Sequence, residues 1–96
     1  MSLWESIEDA IFNLASAVVE GSASGFISLT KIGMALISNG ALKDYGSGSP
    51  TERQLKMILA EIRRNGDSCE IRTNGRDILV KVNFRKGNDA GSLREL

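Results

Sequence analysis

Histidine is absent from this 96-residue chain, and cysteine occurs once, at Cys69. These two shortages remove the commonest general base, every Ser/His or Cys/His catalytic arrangement and the usual sets of zinc ligands. A single cysteine also cannot form an internal disulfide, so a reducing, cytoplasmic compartment is expected. We therefore predict a protein that is not an enzyme and that has no catalytic residue, no metal site and no cofactor.

Long apolar runs are also lacking. The longest apolar stretches, around residues 10–19 and 32–37, are too short to cross a bilayer, so no membrane span is predicted. The charges balance at 12 acidic and 12 basic residues, but residues 1–48 carry five acids against two bases, and residues 49–96 carry seven acids against ten bases. This basic excess of three is small for a nucleic-acid-binding surface.

The remaining composition suits one globular domain, because 42% of the residues are hydrophobic. We place this domain at residues 1–86 and expect residues 87–96 to be a frayed tail, since they contain few apolar residues. The predicted fold class is α+β. It consists of a helical hairpin, a Gly/Ser connector and a third helix, followed by a C-terminal antiparallel β-hairpin.

Apolar periodicity predicts the two helices of the helical hairpin. The first begins at a capping box between Ser2 and Glu5 and runs to about Glu20, with its apolar residues in one stripe. The second spans about residues 26–38 and is apolar over more than half of its circumference. Asn39-Gly40 is typical of a helix C-terminus.

The third helix follows a connector, residues 41–49, that is predicted to be mobile because it lacks apolar periodicity. Ser49 is predicted to cap the helix, with Pro50 at the first helical position and Glu52 completing a capping box. Asn65-Gly66 marks the end of the helix. Its basic residues are expected to point to more than one side: Arg53, Lys56, Arg63 and Arg64.

The β-hairpin is predicted around residues 71–84, IRTNGRDILVKVNF, with strand pairing that extends back to Cys69. Asn74-Gly75 is the preferred dipeptide of a two-residue type I′ turn, and it would place Arg72 opposite Asp77. Two strands alone are marginally stable, so the apolar face of the hairpin should pack on the helices. That face is predicted to contain Cys69, Ile71, Ile78, Val80 and Val82, with the cysteine as an inert core residue.

A protein-interaction module is the preferred functional hypothesis, because the helical hairpin has more apolar perimeter than a small chain easily buries. Such a module would self-associate, or would bind and occlude or regulate another macromolecule as a small adaptor or inhibitor protein. The expected partner is a protein, a second copy of the chain, or both. The candidate apolar contacts are Phe12, Val19, Ile27 and Met34.

The alternative hypothesis is nucleic-acid binding, because three helices followed by a hairpin resemble a winged-helix domain. The third helix would then be the reader and the hairpin the wing, with Arg64, Arg72 and Arg76 as contacts. Against this hypothesis, a helix-turn-helix joins its last two helices through three or four residues. The connector here is about ten residues long.

Overall fold

The computed structural model describes residues 2–19, 25–66 and 68–83, with side chains at 2–14, 25–66 and 69–82. It confirms the α+β class. In chain order the elements are α1 (Leu3–Val19), β1 (Ile27–Ser28), α2 (Leu29–Ser38), α3 (Glu52–Asn65), β2 (Ser68–Asn74) and β3 (Asp77–Asn83). The strands form one antiparallel sheet in the order β1-β3-β2. The predicted domain end at residue 86 and the tail at 87–96 lie outside the described residues.

The capping box predicted for α1 is confirmed. The Ser2 N–H donates to Glu5 Oε1 over 2.8 Å, and the Glu5 N–H donates to Ser2 Oγ over 3.2 Å. These bonds pair polar groups that the first helical turn would otherwise leave without partners. The bond from the Ser2 N–H also holds the pKa of the Glu5 carboxyl below its ordinary value.

A short strand occupies residues 27 and 28, which corrects the predicted start of the second helix at Phe26. Ile27 pairs with Val80 of β3, and Ser28 pairs with Leu79. Two strand residues next to a helix leave the apolar periodicity almost unchanged, so the sequence pattern could not separate them from a helical turn. The strand adds a third member to the sheet, and β3 becomes its centre.

Both ends of α2 are closed by local hydrogen bonds. Ser28 is the N-cap, and its Oγ accepts the Lys31 N–H over 3.2 Å. The predicted stop at Asn39-Gly40 is confirmed, since Gly40 has a φ of 87°. The Ala41 N–H then returns to a carbonyl of the last helical turn, that of Leu36, over 2.8 Å.

The N-cap of α3 is Thr51 and not Ser49. The Gln54 N–H donates to Thr51 Oγ1 over 3.1 Å, and the Thr51 N–H donates to Gln54 Oε1 over 2.9 Å. The predicted box used Ser49 and Glu52, which have the same three-residue spacing. Pro50 consequently precedes the cap instead of occupying the first helical position.

The connector between α2 and α3, residues 39–51, contains a turn with local hydrogen bonds, and the predicted mobility of residues 41–49 stays a prediction. Leu42 is buried, with 9% of its surface exposed. Asp44 Oδ1 accepts the Gly46 N–H over 2.8 Å and the Gly48 N–H over 3.0 Å. These bonds hold the pKa of the Asp44 carboxyl below its ordinary value. A turn built around one carboxylate needs no apolar periodicity, which is why the pattern did not reveal it.

The hairpin turn lies one residue beyond its predicted position. Gly75-Arg76 forms the two-residue loop, and Asn74 pairs with Asp77. Gly75 has a φ of 64°, whereas every described residue other than glycine has a negative φ. A positive φ at the first loop residue alone is typical of a type II′ turn, so the type I′ prediction on Asn74-Gly75 is wrong.

The strand register changes with the turn. Arg72 faces Leu79 instead of Asp77, and Ile71 faces Val80 instead of Ile78. Because the partner shifts by two residues and side chains alternate with a period of two, each side chain stays on its predicted face of the sheet. The apolar face therefore has the predicted members: Cys69, Ile71, Ile78, Val80 and Val82.

One core joins the three helices to the sheet, and α1 packs against α2, α3 and β1. Among the described side chains, seven core residues have less than 2% of their surface exposed, and every helix and the central strand contribute. These are Ile7, Leu29, Ile32, Leu36, Ile58, Ile62 and Val80. Of the helices that the structure describes, none has the length and apolar character needed to cross a membrane.

Asp77, the first residue of β3, links the turn end of the hairpin to the start of α2. Its carboxylate accepts hydrogen bonds from the Ser28 hydroxyl over 2.5 Å, the Thr30 hydroxyl over 3.1 Å and the Ile78 N–H over 2.8 Å. Partial burial raises the pKa of Asp77, but the hydrogen bonds outweigh this effect and lower the pKa below its ordinary value of 3.8. The charged form of Asp77 therefore stabilises the fold.

We expect Asp77→Asn to lower the free energy of unfolding by about 1–2 kcal/mol at pH 7, because an amide nitrogen cannot accept the second hydroxyl bond. A lowered folded pKa means that the contribution is present above pH 3.8 and is lost as the pH falls through the folded pKa. Urea unfolding at pH 7 and at about pH 2 measures this. The deficit should shrink at the lower pH, and an equal deficit at both would contradict the assignment. Asp9→Asn, on the exposed surface of α1, is the control.

Candidate functional site

A row of basic side chains covers the exposed side of α3. Its members are Arg53, Lys56, Arg63 and Arg64, all of them exposed. At 3.6 residues per turn the four positions lie within roughly 100° of the helix circumference, with the exposed Ala60 at their centre. The expectation that they point to more than one side is therefore wrong. We call these four residues the basic face of α3.

The opposite side of α3 anchors the basic face to the core. Gln54, Ile58 and Ile62 are its buried residues. Gln54 Nε2 donates to the Lys43 carbonyl over 2.8 Å, which ties the connector to the helix. The orientation of the basic face is thus set by apolar burial and by one side-chain amide.

Two acidic residues of α3 partly offset the basic face. Arg64 Nη2 forms an ion pair with Glu61 Oε2 at 2.8 Å, with 67% of the Arg64 side chain and 21% of the Glu61 side chain exposed. Glu52 is exposed in the first turn. The helix therefore carries four bases against two acids, a net charge of plus two. Such a charge supports weak attraction to an anionic partner, with strong dependence on salt.

The hairpin turn brings Arg76 to the edge of this helix. A cleft of about 180 Å³ separates α3 from the hairpin, and its polar lining comes from Glu52, Lys56 and Arg76. Its apolar lining comes from Leu29, Leu55, Leu59 and Ile78. Arg76 is exposed and adds positive charge beside Lys56. The fold thus places one of the predicted basic contacts, Arg76, beside Lys56 of the basic face. Arg64 lies in the last turn of α3 and does not line this cleft.

Arg72 is not part of this surface. Its guanidinium lies over the Phe26 ring, 4.4 Å from the ring centroid, and the register places it opposite Leu79. Arg72 alternates with the apolar-face residues of β2, so it lies on the other face of the sheet. The predicted cross-strand pair with Asp77 is wrong, and the ring of Phe26 takes the place of that carboxylate.

The connector borders the other side of the basic face. A cleft of about 370 Å³ is lined by Lys43, Tyr45, Arg53 and Met57, among others. Lys43 Nζ lies 5.2 Å from the centroid of the Tyr45 ring, and 64% of the Tyr45 surface is exposed. The connector therefore adds one further cation and one exposed aromatic ring next to α3.

The apolar residues predicted to contact a partner are divided by the fold. Phe12 and Met34 are exposed, at 52% and 44% of their surfaces. Ile27 is buried at 6% and pairs with Val80, which corrects its placement on the flank of a helix. The side chain of Val19 lies outside the described residues. Of the four candidates, Phe12 and Met34 are those that the structure places at the surface.

Groups that perform covalent or metal chemistry do not converge in the part of the chain that the structure describes. Burial raises the pKa of the Cys69 thiol, so the protonated and less reactive form prevails at neutral pH. Burial and two neighbouring acids raise the pKa of Glu8. No described group of three or more His, Cys, Asp or Glu residues is arranged to hold a metal ion.

The spacing of the basic residues in the sequence already indicates that they share one face of α3, and the prediction that they point to more than one side overlooked it. The steps from residue 53 to 56, 60 and 63 are three, four and three, which is the spacing of one helical face. Lys56, Arg53 and Arg63 were therefore missed as site residues although the signal was present. The position of Arg76 beside Lys56 has no such signal, because it depends on how the hairpin packs on α3.

Comparison of the chain with protein families, with curated proteins and with solved structures gives no match.

Proposed function

We propose that this protein binds double-stranded nucleic acid through the basic face of α3, with the hairpin turn as a second contact. The observation that carries the proposal is the gathering of four exposed basic side chains on one side of α3, with Arg76 across the adjacent cleft. Such a cluster attracts phosphates, and an α-helix fits the major groove of a DNA duplex. Ala60, at the centre of the face, leaves room for close approach.

The arrangement of the elements also supports this proposal. A short strand after the first helix, two further helices and a terminal hairpin, with the first strand beside the last, correspond to a winged-helix arrangement. The connector of residues 39–51 is longer than a helix-turn-helix requires. It nevertheless leaves α2 packed on α3, because Pro50 lies against Gly33. The fold analogy by itself carries no function, and the charges of α3 are the stronger support.

Neutralising the basic face should weaken binding to a duplex of about 20 base pairs. We expect Lys56→Gln to lower the affinity roughly fivefold at low salt and to reduce the slope of log K against log salt by about one. The triple variant with Arg53→Gln and Arg63→Gln should lose roughly 100-fold. Fluorescence anisotropy at several salt concentrations measures both quantities.

Lys31→Gln is the matched control for this experiment. Lys31 is an exposed lysine on α2 that lines a different cleft, beside Phe26 and Leu79. The control removes the same charge and should leave the affinity within about twofold of wild type. Binding that is absent at low salt, or that Lys31→Gln weakens as much as Lys56→Gln does, would overturn the proposal.

A protein-interaction function is the second candidate, and the exposure of Phe12 and Met34 favours it. In this case the chain is a small regulatory or inhibitor protein that self-associates or occludes a protein partner. Binding of that partner should be weakened by Phe12→Glu and Met34→Glu and unaffected by Lys56→Gln. Either candidate describes a non-enzymatic protein, and the single, unpaired Cys69 favours a cytoplasmic location.

A further inference from the structure

We infer that β2 of one copy pairs with β2 of a second copy, in antiparallel orientation, to join two sheets into one. β2 is the outer strand of the order β1-β3-β2, and no described strand pairs with its other edge. An unpaired strand edge exposes a row of backbone donors and acceptors to a second chain. Seven residues, Ser68–Asn74, form this edge.

The hairpin geometry identifies the backbone groups on that edge. In a two-residue hairpin the pair next to the turn, here Asn74 and Asp77, exchanges hydrogen bonds, and bonded and non-bonded pairs then alternate along the ladder. Cys69, Ile71 and Thr73 belong to the non-bonded pairs. Their N–H and C=O groups therefore point away from β3, toward a strand that would lie beyond β2.

The charges of β2 select one register for such a pairing. A two-fold axis at Ile71 places Ile71 opposite its copy, Glu70 opposite Arg72 of the copy and Cys69 opposite Thr73. The outward backbone groups then meet, and two pairs of unlike charges face each other. A shift of two residues in either direction places Glu70 opposite Glu70 or Arg72 opposite Arg72, which is unfavourable. Of these three registers, only the one centred on Ile71 places unlike charges opposite each other.

The side chains around the proposed axis are accessible. Ile71, Glu70 and Arg72 are all exposed, with 36% of the Ile71 surface accessible at the centre. The stacking of Arg72 on Phe26 uses the face of the guanidinium and leaves its in-plane N–H groups for a carboxylate. Natural edge strands are often protected by lysine, proline or a bulge. β2 contains neither lysine nor proline, and each of its residues has a single partner in β3.

Sedimentation equilibrium of the full chain tests this pairing. We expect a monomer–dimer equilibrium at concentrations up to about 1 mM, with the dissociation constant raised at least tenfold by Ile71→Lys, because two lysines would then meet at the axis. Thr73→Lys is the matched control, since its lysine would lie opposite Cys69 and should change the constant less than about threefold. A wild-type monomer at every concentration, or equal effects of the two lysines, would overturn the inference.

A disulfide provides a second, independent test. Thr73→Cys places a new thiol opposite the natural Cys69 of the other copy, whereas the two thiols of one chain are four strand residues apart and too distant to bond. Mild oxidation should yield a covalent dimer whose peptide map links Cys69 of one chain to the introduced cysteine of the other. The variant with both Thr73→Cys and Cys69→Ser should give no more covalent dimer than random collision of the introduced thiols produces. Failure to form this linkage would overturn the inference. This test does not use the Ile71→Lys variant, so it holds even if that substitution only destabilises the hairpin.

Discussion

Gly33→Ala is expected to destabilise the fold by about 1–3 kcal/mol, which corresponds to a loss of roughly 5–20 °C in Tm. On an exposed helix this substitution is normally favourable, because alanine has the higher helix propensity. Here Gly33 is buried, and an added Cβ would lie 2.5 Å from Pro50 Cγ and 2.8 Å from Pro50 Cβ. The proline ring cannot rotate away, so α2 and the start of α3 must move apart.

Thermal and urea unfolding of Gly33→Ala in two backgrounds isolates this contact. In a Pro50→Gly background the ring is absent, and the alanine should cost little or should stabilise α2. The difference between the two backgrounds is the coupling free energy of a double-mutant cycle. Equal costs in both backgrounds would show that the close approach of Gly33 and Pro50 is not the cause.

Ile27→Glu is expected to unfold the protein, with a cost above about 4 kcal/mol, because it places an unpaired charge in the core. Ile27 is 6% exposed and pairs with Val80 of the central strand. A domain of this size has a total stability of roughly 5–15 kcal/mol, so little folded protein should remain at its lower end. Circular dichroism and thermal melting measure the loss.

Phe12→Glu is the matched substitution, since it adds the same charge at a side chain that is 52% exposed. It should leave the protein folded, at a cost of about 1 kcal/mol. The comparison also separates the surface from the core among the residues that apolar patterning grouped together. A folded Ile27→Glu variant beside an unfolded Phe12→Glu variant would contradict the placement of β1.

Nucleic-acid binding and strand pairing can be tested separately. Lys56→Gln changes the basic face of α3 and leaves β2 untouched, whereas Ile71→Lys changes the outer edge of β2 and adds a positive charge. Dimerisation without duplex binding would support the strand pairing and overturn the proposed function. Duplex binding without dimerisation would support the proposed function and overturn the strand pairing.

Local signals in the sequence determined the fold class and the extents of the helices to within a few residues. Ser2 and Glu5 are three residues apart, Asn39-Gly40 favours a left-handed termination, and residues 69–82 alternate on two faces. Each of these signals acts over a few residues, so it can be recognised without knowing what packs against it. The basic face of α3 belongs with them, because helical periodicity alone brings its four residues together.

Tertiary structure alone decided the features that depend on contacts between distant segments. Residues 27 and 28 are a strand because β3 offers them a partner, and Asp77 turns toward Ser28 and Thr30 although 49 and 47 residues separate them in the chain. The hairpin turn is at Gly75-Arg76, one residue beyond its predicted position, in a sheet whose central strand β3 pairs with both β1 and β2. The packing of this hairpin on α3 also places Arg76 beside the basic face. Such contacts depend on burial and on available partners, and a local pattern carries information about neither.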